Sequence, residues 1–173
     1  CSLTEDRTDA YGNILRGATW SHTDDAGNAI SLMLDRTKDR YTFMVSLNQP
    51  KSGAVRFTLD GNVHPVIFYL DNGSTVKAWT SENRVFESNN DGGDISFTEQ
   101  YIIQNSELSG FDNASVTAIV FRCSGRSIAN GNAVNEIRFT PDRNEGETLS
   151  NAFRCLQKDP EPKKLTVAPQ PRR

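Results

Sequence analysis

Apolar residues recur at every second position along most of the chain. Ile30, Leu32 and Leu34 show this alternation, and it continues through residues 41–48 and 54–61. In a β-strand, successive side chains point to opposite faces, so the alternation places one face in a core and the other in solvent. The pattern predicts half-buried antiparallel strands.

Turn signals separate these segments. The dipeptides Asp60-Gly61 and Asn72-Gly73 supply residues that tolerate positive φ, as tight hairpin turns require. They flank an apolar segment, and a return strand follows the second dipeptide. The sequence therefore predicts a β-meander over about residues 54–80.

The C-terminal part of the body combines further strands with a helix. Strands are predicted over residues 94–103, 115–123 and 134–141, and the middle one is apolar on both faces, which is typical of a central strand. Residues 144–157 show helical spacing, and Asn144 with Glu147 suggests a capping box. We therefore expect a mainly β chain: an antiparallel β-sandwich of about eight strands with one C-terminal helix.

Length and composition suggest one domain with two flanking segments. The chain has 173 residues, 36% of them hydrophobic, and a net charge of -3. This charge argues against nucleic acid as a partner, since a nucleic-acid binder needs a clustered basic face. We expect an N-terminal tether over residues 1–18, the β-sandwich domain over residues 19–157 and an extended tail over residues 158–173.

The three cysteines are Cys1, Cys123 and Cys155. An odd number in an exported protein suggests one disulfide and one cysteine with another role. Cys123 and Cys155 both fall within predicted ordered segments, so we expect them to form the disulfide. Such a bond stabilises by roughly 3–4 kcal/mol in the chain-entropy view and needs an oxidising compartment such as the periplasm.

The start at Cys1 followed by Ser2 resembles the start of a bacterial lipoprotein, whose precursor is cut immediately before a lipidated cysteine. The resemblance covers the first residues alone and implies a removed signal peptide and a lipid anchor on Cys1. Serine rather than aspartate at position 2 implies the outer membrane, with the domain facing the periplasm. Two other interpretations stay open: an accidental chain boundary, and an N-terminal cysteine hydrolase whose free α-amine acts as the base.

The C-terminal tail differs in composition from the body. Four of the seven prolines lie in residues 158–173, which carry five basic and two acidic residues. Such a segment cannot build a core and favours extended geometry that can lie along a partner. It is either an end without a role or a docking segment for protein subunits of an envelope assembly or for peptidoglycan. The residues expected to bind the partner are Lys163, Lys164, Leu165, Val167, Pro169, Pro171, Arg172 and Arg173.

The sequence suggests no catalytic, metal or cofactor site. His22 and His64 have no partner at metal-ligand spacing and are expected to be isolated surface residues. The polar segment 87–94 lacks ligands at the positions of a calcium loop. The leading hypothesis is a non-enzymatic outer-membrane lipoprotein, acting as a structural or accessory subunit of a cell-envelope complex. The alternative is a periplasmic ligand-binding or inhibitory module whose loops, such as 87–94, contact the ligand.

Overall fold

The computed structural model describes residues 3–50, 55–60, 63–80, 85–87, 95–127 and 130–159. The elements found there are β1 (Glu5–Thr8), β2 (Ile14–Thr23), β3 (Ala29–Thr37), β4 (Arg40–Gln49), β5 (Val55–Asp60), β6 (Val66–Leu70), β7 (Thr75–Thr80), β8 (Val85–Glu87), β9 (Ile95–Ile103), α1 (Asn105–Leu108), a 3-10 turn (Ser109–Phe111), β10 (Val116–Ser127), β11 (Ala133–Phe139) and α2 (Arg143–Gln157).

These strands form one antiparallel sheet. Its order is β1-β2-β3-β4-β9-β7-β6-β10-β5-β8, and β11 pairs with β10. The prediction of a mainly β, antiparallel fold with a C-terminal helix is confirmed. The described residues contain eleven strands rather than about eight. A division into two stacked sheets, which the term sandwich implies, stays a prediction.

The predicted meander over residues 54–80 is wrong. β6 pairs with β7, but β5 pairs with β10 and β8 instead of with β6. β10 is long enough for β6 to pair with its first half and β5 with its second half. Local turn signals could not reveal this long-range pairing.

The N-terminal segment is also part of the sheet. β1 pairs with β2 in a register that runs from Glu5 opposite Gly17 to Thr8 opposite Ile14. The predicted tether over residues 1–18 is therefore wrong from Glu5 onwards. The strand signal was weak because β1 is mostly exposed, and one inward position of β2 holds Arg16 rather than an apolar residue.

The core lies between the inner face of the sheet and α2. Phe111 and Phe153 stack with ring centroids 4.2 Å apart, and Phe68 meets Phe153 edge-on at 5.5 Å. Each of these side chains is at most 2% exposed. On β10, Ile119 and Val120 point to opposite faces and are both buried, which confirms the predicted central strand.

A capping box begins α2, but not at the predicted residues. Asp142 is the N-cap: its carboxylate accepts a hydrogen bond from the Glu145 backbone N–H at 2.8 Å, and the Glu145 carboxylate accepts from the Asp142 backbone N–H at 2.9 Å. The prediction of Asn144 with Glu147 was wrong by two residues. The box satisfies two backbone donors that the helix itself cannot pair.

Two small residues let α2 approach β10 closely. A Cβ added at Gly146 would lie 1.9 Å from the carbonyl oxygen of Val116. One turn later, the buried Ser150 hydroxyl accepts a hydrogen bond from the Val116 backbone N–H at 3.0 Å. The position of α2 over the sheet thus depends on Gly146 and Ser150.

Candidate functional site at the C-terminal end of α2

Two buried arginines meet at the C-terminal end of α2. Arg16 on β2 and Arg36 on β3 are directly opposite in the strand register, and each is 6% exposed. The last carbonyl groups of a helix have no partner within the helix and carry partial negative charge. Both guanidinium groups are directed at these carbonyls.

Together the two side chains donate to the four carbonyls of residues 155–158, and they share that of Lys158. Arg16 Nη1 donates to the Cys155 carbonyl at 2.8 Å and also to the Lys158 carbonyl. Arg36 Nη1 donates to the carbonyls of Leu156, Gln157 and Lys158 at 3.0–3.1 Å. Side chains from two strands therefore cap α2.

Each arginine also has its own carboxylate. Arg16 contacts both oxygens of Asp6, with Nε–Oδ1 at 2.9 Å and Nη2–Oδ2 at 3.1 Å. Arg36 Nη2 lies 2.9 Å from Asp159 Oδ1, and its guanidinium carbon lies 5.4 Å from the centroid of the Tyr41 ring. These contacts offset the repulsion between two like charges on neighbouring strands.

This network holds both ends of the described chain. Asp6 belongs to β1 and Asp159 follows α2, yet each contacts one member of the arginine pair. The backbone N–H of Thr4 adds a hydrogen bond to the Gly17 carbonyl at 2.8 Å. Thr4 and Asp159, near the two ends of the described chain, are therefore held at the same end of the sheet.

A groove runs from this end along α2 and β2, and we call it the β2–α2 groove. It consists of two adjoining cavities of about 530 and 480 Å³, and both are lined by Thr19 of β2 and Thr148 of α2. Thr4 and Lys158 line the end near the arginines, and Glu145 lines the other end.

One wall of this groove is an open strand edge. β1 pairs with β2 up to Gly17, so residues 18–23 have no strand neighbour on that side in the described part of the chain. The Gly17 carbonyl points to this edge, and strand residues alternate in the direction of their backbone groups. Thr19 and Ser21 therefore direct their N–H and C=O groups into the groove.

The N-terminal end of α2 is held by a second pair of contacts. Trp20 Nε1 donates to the Glu145 carbonyl at 3.0 Å, and His22 Nδ1 lies 2.9 Å from Glu145 Oε2. The His22 side chain is 9% exposed and stacks on Trp20 with ring centroids 6.1 Å apart. The prediction of an isolated surface residue was wrong for His22. Its ring fixes the helix start.

The predicted disulfide between Cys123 and Cys155 is wrong, because Cys123 is a free, buried thiol. Its sulfur contacts the Val134 carbonyl at 3.9 Å, towards β11. Burial, and secondarily the nearby Glu136, raises the pKa of the Cys123 thiol to about 11. Cys155 instead lines the β2–α2 groove.

Several predicted residues lie outside the described part of the chain. They are Cys1, residues 88–94 of the polar loop and the partner-binding residues of the tail. The residues that the structure does describe contain no group of three or more potential metal ligands. Within that same part, no helix is long and apolar enough to cross a bilayer.

The arginine pair was the main feature that sequence reasoning missed. Arg36 occupies the next inward position after Leu32 and Leu34, where the alternation demands an apolar residue. A charge at a core position signals a buried partner.

Comparison with protein families, with curated proteins and with solved structures found no match to this chain.

Proposed function

We propose that this protein is a bacterial outer-membrane lipoprotein facing the periplasm, and that it acts as a non-enzymatic structural or accessory subunit of a cell-envelope complex. The supporting observation is that Asp6 and Asp159 contact the same arginine pair. A lipid on Cys1 and the tail after Asp159 would then extend from one end of the domain.

Anchoring would hold this end of the domain at the bilayer. Acyl chains contribute about 0.8 kcal/mol for each buried CH2 group, so two or three chains on Cys1 give a stable anchor. Thr4 is already bonded to Gly17 of the sheet. The linker from Cys1 to Thr4 would therefore span at most about 10 Å, and the domain would lie against the membrane rather than on a long tether.

The tail would contact the partner near the membrane surface. The fourteen residues after Asp159 reach about 43 Å in polyproline geometry. Lys163, Lys164, Arg172 and Arg173 provide positive charge for carboxylates of a protein subunit or of peptidoglycan. The function would thus be positional: anchor and docking segment act from the same end.

The first test is the intact mass of protein extracted from its native membrane, with peptide mapping under non-reducing conditions. A diacyl or triacyl increment on the N-terminal peptide would support the proposal. An unmodified Cys1 would overturn it. So would a Cys1–Cys155 linked peptide, because a thiol in a disulfide cannot carry a thioether-linked lipid. Thr4 and Cys155 line the same groove, so the peptide map should be searched for this linkage as well.

The subunit role is tested by affinity capture from solubilised envelopes. Removing residues 160–173, or changing Arg172 and Arg173 to glutamine, should reduce recovery of co-purifying subunits at least tenfold. The matched control is Arg40→Gln, which removes an exposed charge from the body of the domain. Equal recovery with all variants would contradict the docking role of the tail.

A further inference from the structure

We propose that the β2–α2 groove binds residues 163–168 of the chain's own tail as an added strand beside β2. The inference concerns the position of the tail on its own domain and does not require the partner of the proposed function. With residues 163–168 in the groove, residues 169–173 would remain to meet that partner, so this inference replaces the partner contacts of Lys163 and Lys164 and keeps those of Arg172 and Arg173.

The first argument is the unpaired edge. Thr19 and Ser21 direct backbone donors and acceptors into the groove, and no described residue pairs with them. An extended segment that adds to such an edge gains main-chain hydrogen bonds without reorganising the sheet. The groove also has a second wall, α2, that a docked strand can pack against.

The second argument is where the tail begins. Lys158 lines the groove, and Arg36 holds Asp159 beside it. Residues 159–162 would form the connection, and four residues is an ordinary length between a helix and a strand. The tail would reverse direction there and run back along α2.

The third argument is length. The groove follows α2 from Cys155 to Asn144. The eleven residue-to-residue steps between these two positions rise about 16 Å along the helix. An extended strand covers this distance with about five residues. Residues 163–168 therefore fill the groove without excess.

The fourth argument is the tail sequence. Leu165, Thr166 and Val167 form its one run of strand-forming residues, and Pro169 then ends any ladder because it lacks an N–H. Leu165 and Val167 share one face of the strand. They would lie over Ala152 and Thr148 of α2, while Lys164 and Thr166 face solvent.

The test is amide hydrogen exchange at Thr19 and Ser21 in the full chain and in a chain that ends at Asp159. In the full chain we expect these two amides to exchange at least tenfold more slowly. The amide of Leu32, within the central part of the sheet, should be unchanged and reports intact folding. The full-length double variant Leu165→Asp, Val167→Asp should match the shortened chain, whereas Gln170→Asp should match the unchanged chain.

The other outcomes overturn the inference in distinct ways. Fast exchange at Thr19 and Ser21 in both chains would show that the tail does not bind the edge. Slow exchange in both would show that another segment, such as the residues before Leu3, covers it. Protection that falls on tenfold dilution would place the tail in the groove of a second copy. None of these outcomes changes the result expected from the mass measurement on Cys1, so the two proposals can fail separately.

Discussion

Arg16 and Arg36 face each other across β2 and β3, and together they donate to the carbonyls of residues 155–158 at the end of α2. Helices commonly end with a glycine whose left-handed conformation lets backbone donors satisfy these carbonyls. Here Lys158 has extended geometry at the C-cap. The Lys158 backbone N–H donates to the Cys155 carbonyl at 3.3 Å, and the arginine pair supplies the side-chain donors for the carbonyls of residues 155–158.

Replacing Arg36 with methionine should lower the free energy of unfolding by about 2–4 kcal/mol, because buried carbonyls lose their donors. Urea unfolding measures this loss. The exposed control Arg40→Gln should change stability by less than about 0.5 kcal/mol. The double variant Arg16→Met, Arg36→Met should lose less than the two single losses combined, since both side chains share the Lys158 carbonyl. Strict additivity would contradict a joint cap.

Gly146→Ala should destabilise the protein by about 3 kcal/mol, although the same change within an exposed helix usually stabilises by about 1 kcal/mol. The physical reason is the 1.9 Å approach of the added Cβ to the Val116 carbonyl oxygen, a backbone atom. The shift in thermal midpoint decides the sign. Glu147→Ala, one residue later and exposed, is the control. A rise in midpoint for Gly146→Ala would show that α2 can move away from β10 at little cost.

The Cys123 thiol should resist alkylation in the native state at pH 8 and react fully after unfolding. Its pKa is raised from 9.0 to about 11, mainly by burial, so the folded protein disfavours the thiolate. The contribution of this buried, protonated thiol to the free energy of unfolding is complete below pH 9. It is lost as the pH rises through about 11. This change amounts to about 3 kcal/mol. Unfolding measured from pH 8 to 11 should show the decline, and Cys123→Ala should flatten it. An equal decline in both proteins would assign it to other groups.

Asp35→Asn should stabilise the protein at neutral pH. Partial burial, followed by the charge of Glu5, raises the pKa of Asp35 above its ordinary 3.8. The folded state therefore prefers the protonated form, and the aspartate weakens folding once the pH exceeds its folded pKa. The gain from asparagine should appear at pH 7 and vanish at pH 3, as measured by urea unfolding. The exposed control Asp25→Asn should show a smaller gain.

The sequence predicted the strands and the helix wherever apolar spacing was regular. In β3, β4 and α2 the buried positions follow the strand or helix period closely. The direction of each side chain there is set by local backbone geometry, which the spacing of apolar residues reflects. The sequence does not predict β1 or the first residues of β2 as strands, since their partners are charged groups and a helix end 139 to 142 residues away. The capping site was missed for the same reason: a lone arginine indicates a partner without saying which.

The cysteine pairing shows a different limit. Cys123 and Cys155 both border the core, yet the Cys123 sulfur lies towards β11, whereas Cys155 lines the β2–α2 groove. A count of cysteines cannot separate these environments. The open edge of the groove depends on the residue of β2 at which pairing with β1 ends. No local sequence pattern predicts that residue.

Arg16 is 139 residues away from Cys155 along the chain and 142 away from Lys158. A chain that emerges N-terminus first, from a ribosome or a translocation channel, carries both arginines for most of its length before their acceptors exist. During that interval they keep their hydration, and β2 and β3 cannot bury the inner face that holds them. Closure of the domain over this face must therefore wait until residues 155–158 have emerged, so the order of synthesis keeps β2 and β3 open until α2 is present.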